Sequence, residues 1–189
     1  MKTKLKKNGY YIKKKSIQKN ILDNIRKDMV VDGASYYEKK LNIDKKFSIY
    51  NENEKYIIVP KFYGIKKFGQ PIKSKEKKGK TINIDFKGSL KEQQKPVVDI
   101  TLKHMEEKNG GVLCLGCGFG KTVLALYIAT VLKVKTLVIV HKTFLLNQWI
   151  ERIKQFTNAS IGIIQQKKID TNKDIVIGML QSISKQKYN

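Results

Sequence analysis

At 189 residues the chain can hold one full domain, or a small domain and part of another, and its 41% apolar content suffices for a core. No stretch approaches roughly 18 uncharged apolar residues, and no apolar run follows the lysine-rich residues 1–15. Neither a membrane span nor a secretory leader is therefore expected, and an intracellular protein without a membrane partner is. The 39 Lys and Arg against 16 Asp and Glu give a net charge of +23, which favours polyanionic partners, although a lysine- and asparagine-rich coding bias accounts for part of the excess.

In chain order, residues 1–15 read as a mobile basic arm. Ile17, Ile21, Leu22, Ile25 and Met29 follow at helical spacing and predict a short amphipathic helix. Residues 47–50 and 56–59 predict two strands, a possible hairpin across 51–55, with Pro60 ending the second. Residues 62–65 and 68–71 are aromatic and turn-rich, residues 73–80 form a lysine-rich linker, and residues 81–86 alternate as another strand. This first part, residues 1–86, holds 23 basic and 9 acidic groups, net +14. It is expected to be a small basic α+β domain with a flexible arm. Residues 87–189 hold 16 and 7, net +9.

From Leu90 the pattern alternates between helix and strand. A helix is expected over 90–105, with Pro96 near its true start, then a short buried strand over 112–115 and a helix over 123–132. The continuous apolar run 136–140 suits a parallel strand, and residues 143–156 suit a helix burying Leu145, Leu146, Trp149, Ile150 and Ile153. Two more strands are expected over 160–164 and 174–179. Strands alternating with helices imply crossover units and a doubly wound parallel sheet.

Between the predicted strand at 112–115 and the helix behind it lies Leu115-Gly116-Cys117-Gly118-Phe119-Gly120-Lys121-Thr122. A glycine-rich turn lets backbone N–H groups point at phosphate oxygens, and a helix N-terminus adds partial positive charge. Lys121 is placed to neutralise the β/γ-phosphates of a nucleotide and Thr122 to ligate Mg²⁺. Leu115 occupies the first glycine position of the strict pattern, so a glycine-rich turn with an incidental lysine is the plainer alternative. Cys114 and Cys117 form a C-x-x-C. With no second cysteine pair, and with His104 and His141 outside a zinc-ligand spacing, they read as part of the strand and loop.

The loop sequence resembles motif I of superfamily 2 helicases, especially the xeroderma pigmentosum group B type, where leucine is accepted at that position. Leu90-Lys91-Glu92-Gln93-Gln94 is similar to that group's adenine-contacting segment, with Lys91 where the group has arginine. Residues 136–149, TLVIVHKTFLLNQW, look like motif Ia, and residues 174–184, DIVIGMLQSIS, look like the segment that touches the nucleic-acid backbone. The wording is closest to helicases of large DNA viruses, and residues 62–69 are more weakly similar to their N-terminal accessory domain.

The resemblance implies a partial RecA-like P-loop domain over 87–189, a parallel sheet with flanking helices, preceded by the basic domain. It implies ATP and Mg²⁺ as cofactors, held by Gln94, Gly116, Cys117, Gly118, Phe119, Gly120, Lys121 and Thr122, with Lys121 and Thr122 catalytic and Thr122 the metal ligand. It further implies a nucleic-acid partner, DNA ahead of RNA, touched by His141, Lys142, Thr143, Gly178, Gln181 and Ser182. The setting is intracellular and viral, in a virion or a viral factory.

Hydrolysis needs a carboxylate pair at a strand end, one for the Mg²⁺ shell and one for the attacking water. After Lys121 the acids are Glu151, Asp170 and Asp174, and none forms a D-E pair after an apolar strand. The expectation is the N-terminal piece of an ATP-dependent helicase, ending before motif II, inactive alone and partnered by a C-terminal helicase half. A non-catalytic basic nucleic-acid-binding remnant and another P-loop nucleotide binder are the alternatives.

Overall fold

Lysine alternates with apolar residues at the very start of the chain, and that alternation makes a sheet. The structure is a computed structural model that describes residues 1–75 and 79–185. It divides into two compact units, Met1–Lys78 and Gly79–Asn189. Part of the expected linker at 73–80 and the last four residues lie outside the described residues.

In the first unit, β1 (Thr3–Lys6) and β2 (Gly9–Lys13) form an antiparallel hairpin. Leu5, Tyr10 and Ile12 are buried, so residues 1–15 are not a mobile arm. Every second side chain is apolar, and a period of two gives a strand one dry face. Helix α1 (Lys19–Asp28) follows and buries Ile25, with Ile17, Ile21, Leu22 and Met29 against the same core, as their spacing predicts.

The chain continues through β3 (Val30–Asp32), α2 (Tyr36–Lys40), β4 (Lys46–Ser48), β5 (Asn51–Glu52) and β6 (Tyr56–Val59). The expected pairing of 47–50 with 56–59 is not formed. Phe47 instead pairs with Val31, and β6 pairs with β2 and with the two residues of β5. Residues 62–65 are not a turn either. They belong to α3 (Lys61–Phe68), whose Gly64 lies flat on Tyr10; a Cβ there would sit 2.3 Å from the ring. That closeness outweighs glycine's poor helix propensity. With β7 (Lys73–Ser74) parallel to β1, the sheet order is β5-β6-β2-β1-β7.

The second unit begins earlier than composition suggested. Ile84 is 1% exposed and packs with Leu126, Val140, Leu146 and Ile177, with Ile82 and Phe86 beside it. Burying such a side chain contributes about 1.5–3 kcal/mol. Residues 81–86 are not a laddered strand. They run extended between Val134 and Thr157, and only Thr81 and Phe86 make isolated bridges.

Helix α4 (Lys95–Lys108) carries Pro96 in its first turn, where the missing N–H costs nothing, and ends on Asn109 in the left-handed region. Helix α5 (Lys121–Leu132) is apolar all round because both sides are covered. Leu124 and Ile128 meet the α4 core, and Leu126 meets the sheet core. Then come β8 (Thr136–Val140), α6 (Thr143–Phe156), β9 (Ile161–Gln165), β10 (Lys168–Ile169), β11 (Ile175–Met179) and α7 (Leu180–Lys185).

The sheet order is β10-β9-β11-β8, parallel except for β10, with every residue of β11 buried. The fold of this unit is α/β with a parallel sheet and flanking helices. The predicted strand at 112–115 is absent: these residues are irregular, and Val112 is 97% exposed. An apolar run becomes a buried strand only when a ladder receives it, and it pairs with none of the described strands. Among the described residues no helix is long and apolar enough to cross a membrane.

Candidate nucleotide loop and neighbouring turns

The glycine loop is built by two side chains. Gly118 and Gly120 have φ of +78° and +90°, a region that favours glycine, and Gly120 caps α5. Lys121 folds back over the loop and donates to the carbonyls of Leu115 at 3.1 Å and Gly116 at 2.8 Å. Gln94, from the turn before α4, is only 4% exposed and reaches the other side. Its Nε2 donates to the Phe119 carbonyl at 2.8 Å, and its Oε1 accepts from the Lys91 N–H at 2.9 Å. A Cβ at Gly120 would lie 2.6 Å from that Nε2, so the contact also requires glycine.

Gln94 is thus neither an exposed helix-start residue nor a free amide. It fastens the loop to the start of α4 while keeping one donor hydrogen and one acceptor lone pair. No neighbour lies within 4 Å of where a Cβ would stand on Gly116 or Gly118, which leaves the loop's outer side open to a ligand. Cys117 is exposed in the loop and, like Cys114, is a free thiol. Phe119 is half-buried against the α4–α5 core. Thr122 is half-buried one residue into α5. The loop therefore suits a polyphosphate bound at a helix N-terminus. Among the described residues no three His, Cys, Asp or Glu side chains are grouped to hold a metal.

The turns after β8 and β11 come together because the two strands are parallel neighbours with Val140 opposite Met179. His141, Lys142 and Thr143 are exposed where β8 gives way to α6. Gln181 joins them, its Nε2 donating to the His141 carbonyl at 3.0 Å. Ser182 accepts from the Gln166 N–H at 2.8 Å, tying α7 to the β9–β10 turn. Gly178 stands apart from the expected set. It is buried, and a Cβ there would lie 2.3 Å from Ile183, so this glycine gives α7 room to pack on β11. Trp149, at helical spacing on α6, packs partly buried against the sheet core as expected.

Asp174 lies at the opposite end of β11 from these turns. Ser160 donates to its carboxylate from the hydroxyl at 2.6 Å and from the N–H at 2.9 Å, and these bonds hold it below the ordinary aspartate range. It cannot stand in for a carboxylate at the strands' C-terminal ends.

Comparison with known proteins agrees with this geometry. The family described as "Type III restriction enzyme, res subunit" matches residues 87–189, the whole of the loop-bearing part. The chain belongs to that family. Its relatives are named as helicases or as a translocase. A protein of Acanthamoeba polyphaga mimivirus whose name assigns an ATP-dependent RNA helicase is 40% identical over 194 residues, covering 100% of this chain and 37% of its own length. A helicase-named protein of Invertebrate iridescent virus 6 is 36% identical over 87 residues, 44% of this chain and 20% of its own length. The DNA 3'-5' translocase XPB2 of Sulfurisphaera tokodaii is 40% identical over 81 residues, 43% of this chain and 18% of its own length. The res-subunit-family chain described here thus resembles the superfamily 2 helicases of the xeroderma pigmentosum group B type and of large DNA viruses, and spans well under half the length of each of these relatives.

Sequence reading missed the bond between Gln94 and the loop, and it missed the sheet at the chain's start. Only the motif's residue types were legible for the first. For the second, the alternation of lysine with Leu5 and of tyrosine with Ile12 was the available signal.

Proposed function

We propose that this chain is the ATP-binding and nucleic-acid-binding part of an ATP-dependent helicase of a viral type, and that the complete protein couples hydrolysis to unwinding or translocation. The observation that carries the reading is the loop held between Lys121 and Gln94. The N–H groups around Gly116, Cys117, Gly118, Phe119 and Gly120 take the phosphates, and Lys121 exchanges its two carbonyl partners for β/γ-oxygens. Gln94 offers its remaining donor and lone pair to the adenine edge. Mg²⁺, when bound with the nucleotide beside Thr122, neutralises phosphate charge. His141, Lys142, Thr143 and Gln181 take the nucleic-acid backbone by hydrogen bonds and charge. The names of the relatives divide between RNA and DNA, so DNA ahead of RNA is a choice for competition between oligonucleotides to decide.

Thermal melting tests the nucleotide site. A ligand that binds only the folded state at about 100 times its Kd stabilises it by about 2.7 kcal/mol. Mg²⁺-ATP raises the midpoint of the wild type and leaves Lys121→Ala nearly unmoved. Equal shifts in both proteins, or none in either, would remove the phosphate-loop assignment.

A further inference from the structure

The sheet of the first unit has a second face. Its alternation turns Leu5, Tyr10, Ile12, Ile57 and Val59 inward and leaves Lys4, Lys6, Tyr11, Lys13 and Tyr56 on the outer side. Register aligns them: Lys4 is opposite Tyr11, Lys13 opposite Tyr56, and on the other flank Lys4 pairs with Lys73 of β7. The two tyrosine rings lie 5.8 Å apart, edge to face. The Lys4 ammonium sits 3.9 Å from the Tyr56 ring centre and 5.5 Å from that of Tyr11, and the Lys6 ammonium sits 5.1 Å from Tyr11.

Among the described residues, none of these lysines has a carboxylate partner. Described acids of the unit pair with other cations: Glu52 with Lys14 and Arg26, Asp28 with Lys67, Asp32 with Lys39, Glu38 with Lys45. The Tyr56 hydroxyl is held below the ordinary tyrosine range, by Lys4 first and then by Lys13 and Lys6.

We propose that this face is a binding platform for a single-stranded nucleic acid, separate from the turns of the second unit. The inference rests on the reading above that the chain engages nucleic acid, and it names where in the first unit that happens. Uncompensated ammonium groups flanking aromatic rings match phosphates flanking bases, the combination by which sheet faces hold single strands. A duplex keeps its bases paired and presents only phosphates to such a surface. A membrane would need an inserted apolar ridge, and the outer strands supply tyrosines with only Ile58 beside them. On binding, a base takes the place of the Lys4 ammonium over Tyr56, and the freed ammonium turns to a phosphate.

The test uses the full chain and fluorescence anisotropy with a labelled oligothymidine, a duplex of equal length, and phosphatidylserine vesicles. The variant Lys4→Gln/Lys6→Gln/Lys13→Gln should weaken single-strand binding at least tenfold at low salt and reduce the slope of log K against log salt by about 2, from about 0.7 per phosphate contact. The variant Tyr11→Leu/Tyr56→Leu should weaken single-strand binding about fivefold or more, with duplex binding and salt slope unchanged. Tyr11→Phe/Tyr56→Phe should bind like the wild type, since the rings remain, and circular dichroism confirms that each variant is folded.

Wild-type binding by both the lysine and the leucine variants overturns the platform. So does loss of vesicle binding by the lysine variant with oligothymidine binding intact, which marks a membrane surface. If Lys142→Gln alone abolishes single-strand binding while the sheet variants retain it, the platform falls and the proposed function stands. If the wild type binds no nucleic acid at all, the nucleic-acid part of that function falls as well.

Discussion

At the residue level the nucleotide loop owes its shape to Gln94 as much as to its glycines. Replacing Gln94 with alanine removes its two hydrogen bonds, to the Phe119 carbonyl and from the Lys91 N–H, in partly buried surroundings. Each such bond contributes about 0.5–1.5 kcal/mol net. Urea unfolding of Gln94→Ala should show a loss of that size and ATP should bind more weakly; unchanged stability would mean the amide does not hold the loop. Asp174 gives a prediction with a definite sign. Its folded pKa lies below the ordinary value, through the Ser160 hydroxyl first and the Ser160 N–H second, with Lys135 and Lys173 adding to both. Its contribution to stability is therefore complete above about pH 4 and is lost as pH falls through the lowered folded value. Asp174→Asn should flatten the acid side of the stability profile and change little at pH 7 relative to pH 6. A steeper acid limb in the variant would contradict the Ser160 bonds. The residue types of the loop were legible in the sequence because chemistry restricts them. That Gln94 is bonded at both ends was not, because its partners are backbone groups and one lies 25 residues away.

Among the elements, the parallel strands and the helices between them follow from apolar runs of the right length, and β8, β9, β11, α5 and α6 stand within a residue or two of where pattern puts them. The errors share one cause. Periodicity reports which side chains want burial, and tertiary partners decide whether an extended run joins a ladder. Residues 112–115 are apolar but unpaired. Residues 3–13 are lysine-rich, yet they form β1 and β2 at the middle of a sheet because alternate positions carry Leu5, Tyr10 and Ile12. Gly64 lies in an aromatic, turn-rich stretch of sequence, and its role in the fold, contact with Tyr10, is invisible locally. The consequence is testable. Deleting residues 1–15 removes two strands and uncovers Ile57, Val59 and Ile25, so the first unit should lose its cooperative unfolding transition and become protease-sensitive. A deletion variant that melts like the wild type would restore the picture of a dispensable arm.

For the whole molecule, the +23 charge and the open ends of β8 and β11 together support polyanion binding that weakens steeply with salt. Hydrolysis is a different matter. Positioning phosphates is only part of phosphoryl transfer, and the acids after Lys121, which are Glu151, Asp170 and Asp174, include no adjacent Asp–Glu pair. Phosphate release under saturating ATP, Mg²⁺ and single-stranded DNA should match buffer. Release that is stimulated by the strand and lost in Lys121→Ala would show that another carboxylate serves. The central claim is narrower, that the loop between Gln94 and Lys121 holds a nucleoside triphosphate, and titration with a fluorescent N-methylanthraniloyl ATP tests it most directly. The account predicts a saturable rise with the wild type and an affinity lowered by about tenfold or more in Lys121→Ala, the loss of one charge-assisted contact of about 1.5–3 kcal/mol. Equal affinity in the two proteins would contradict it.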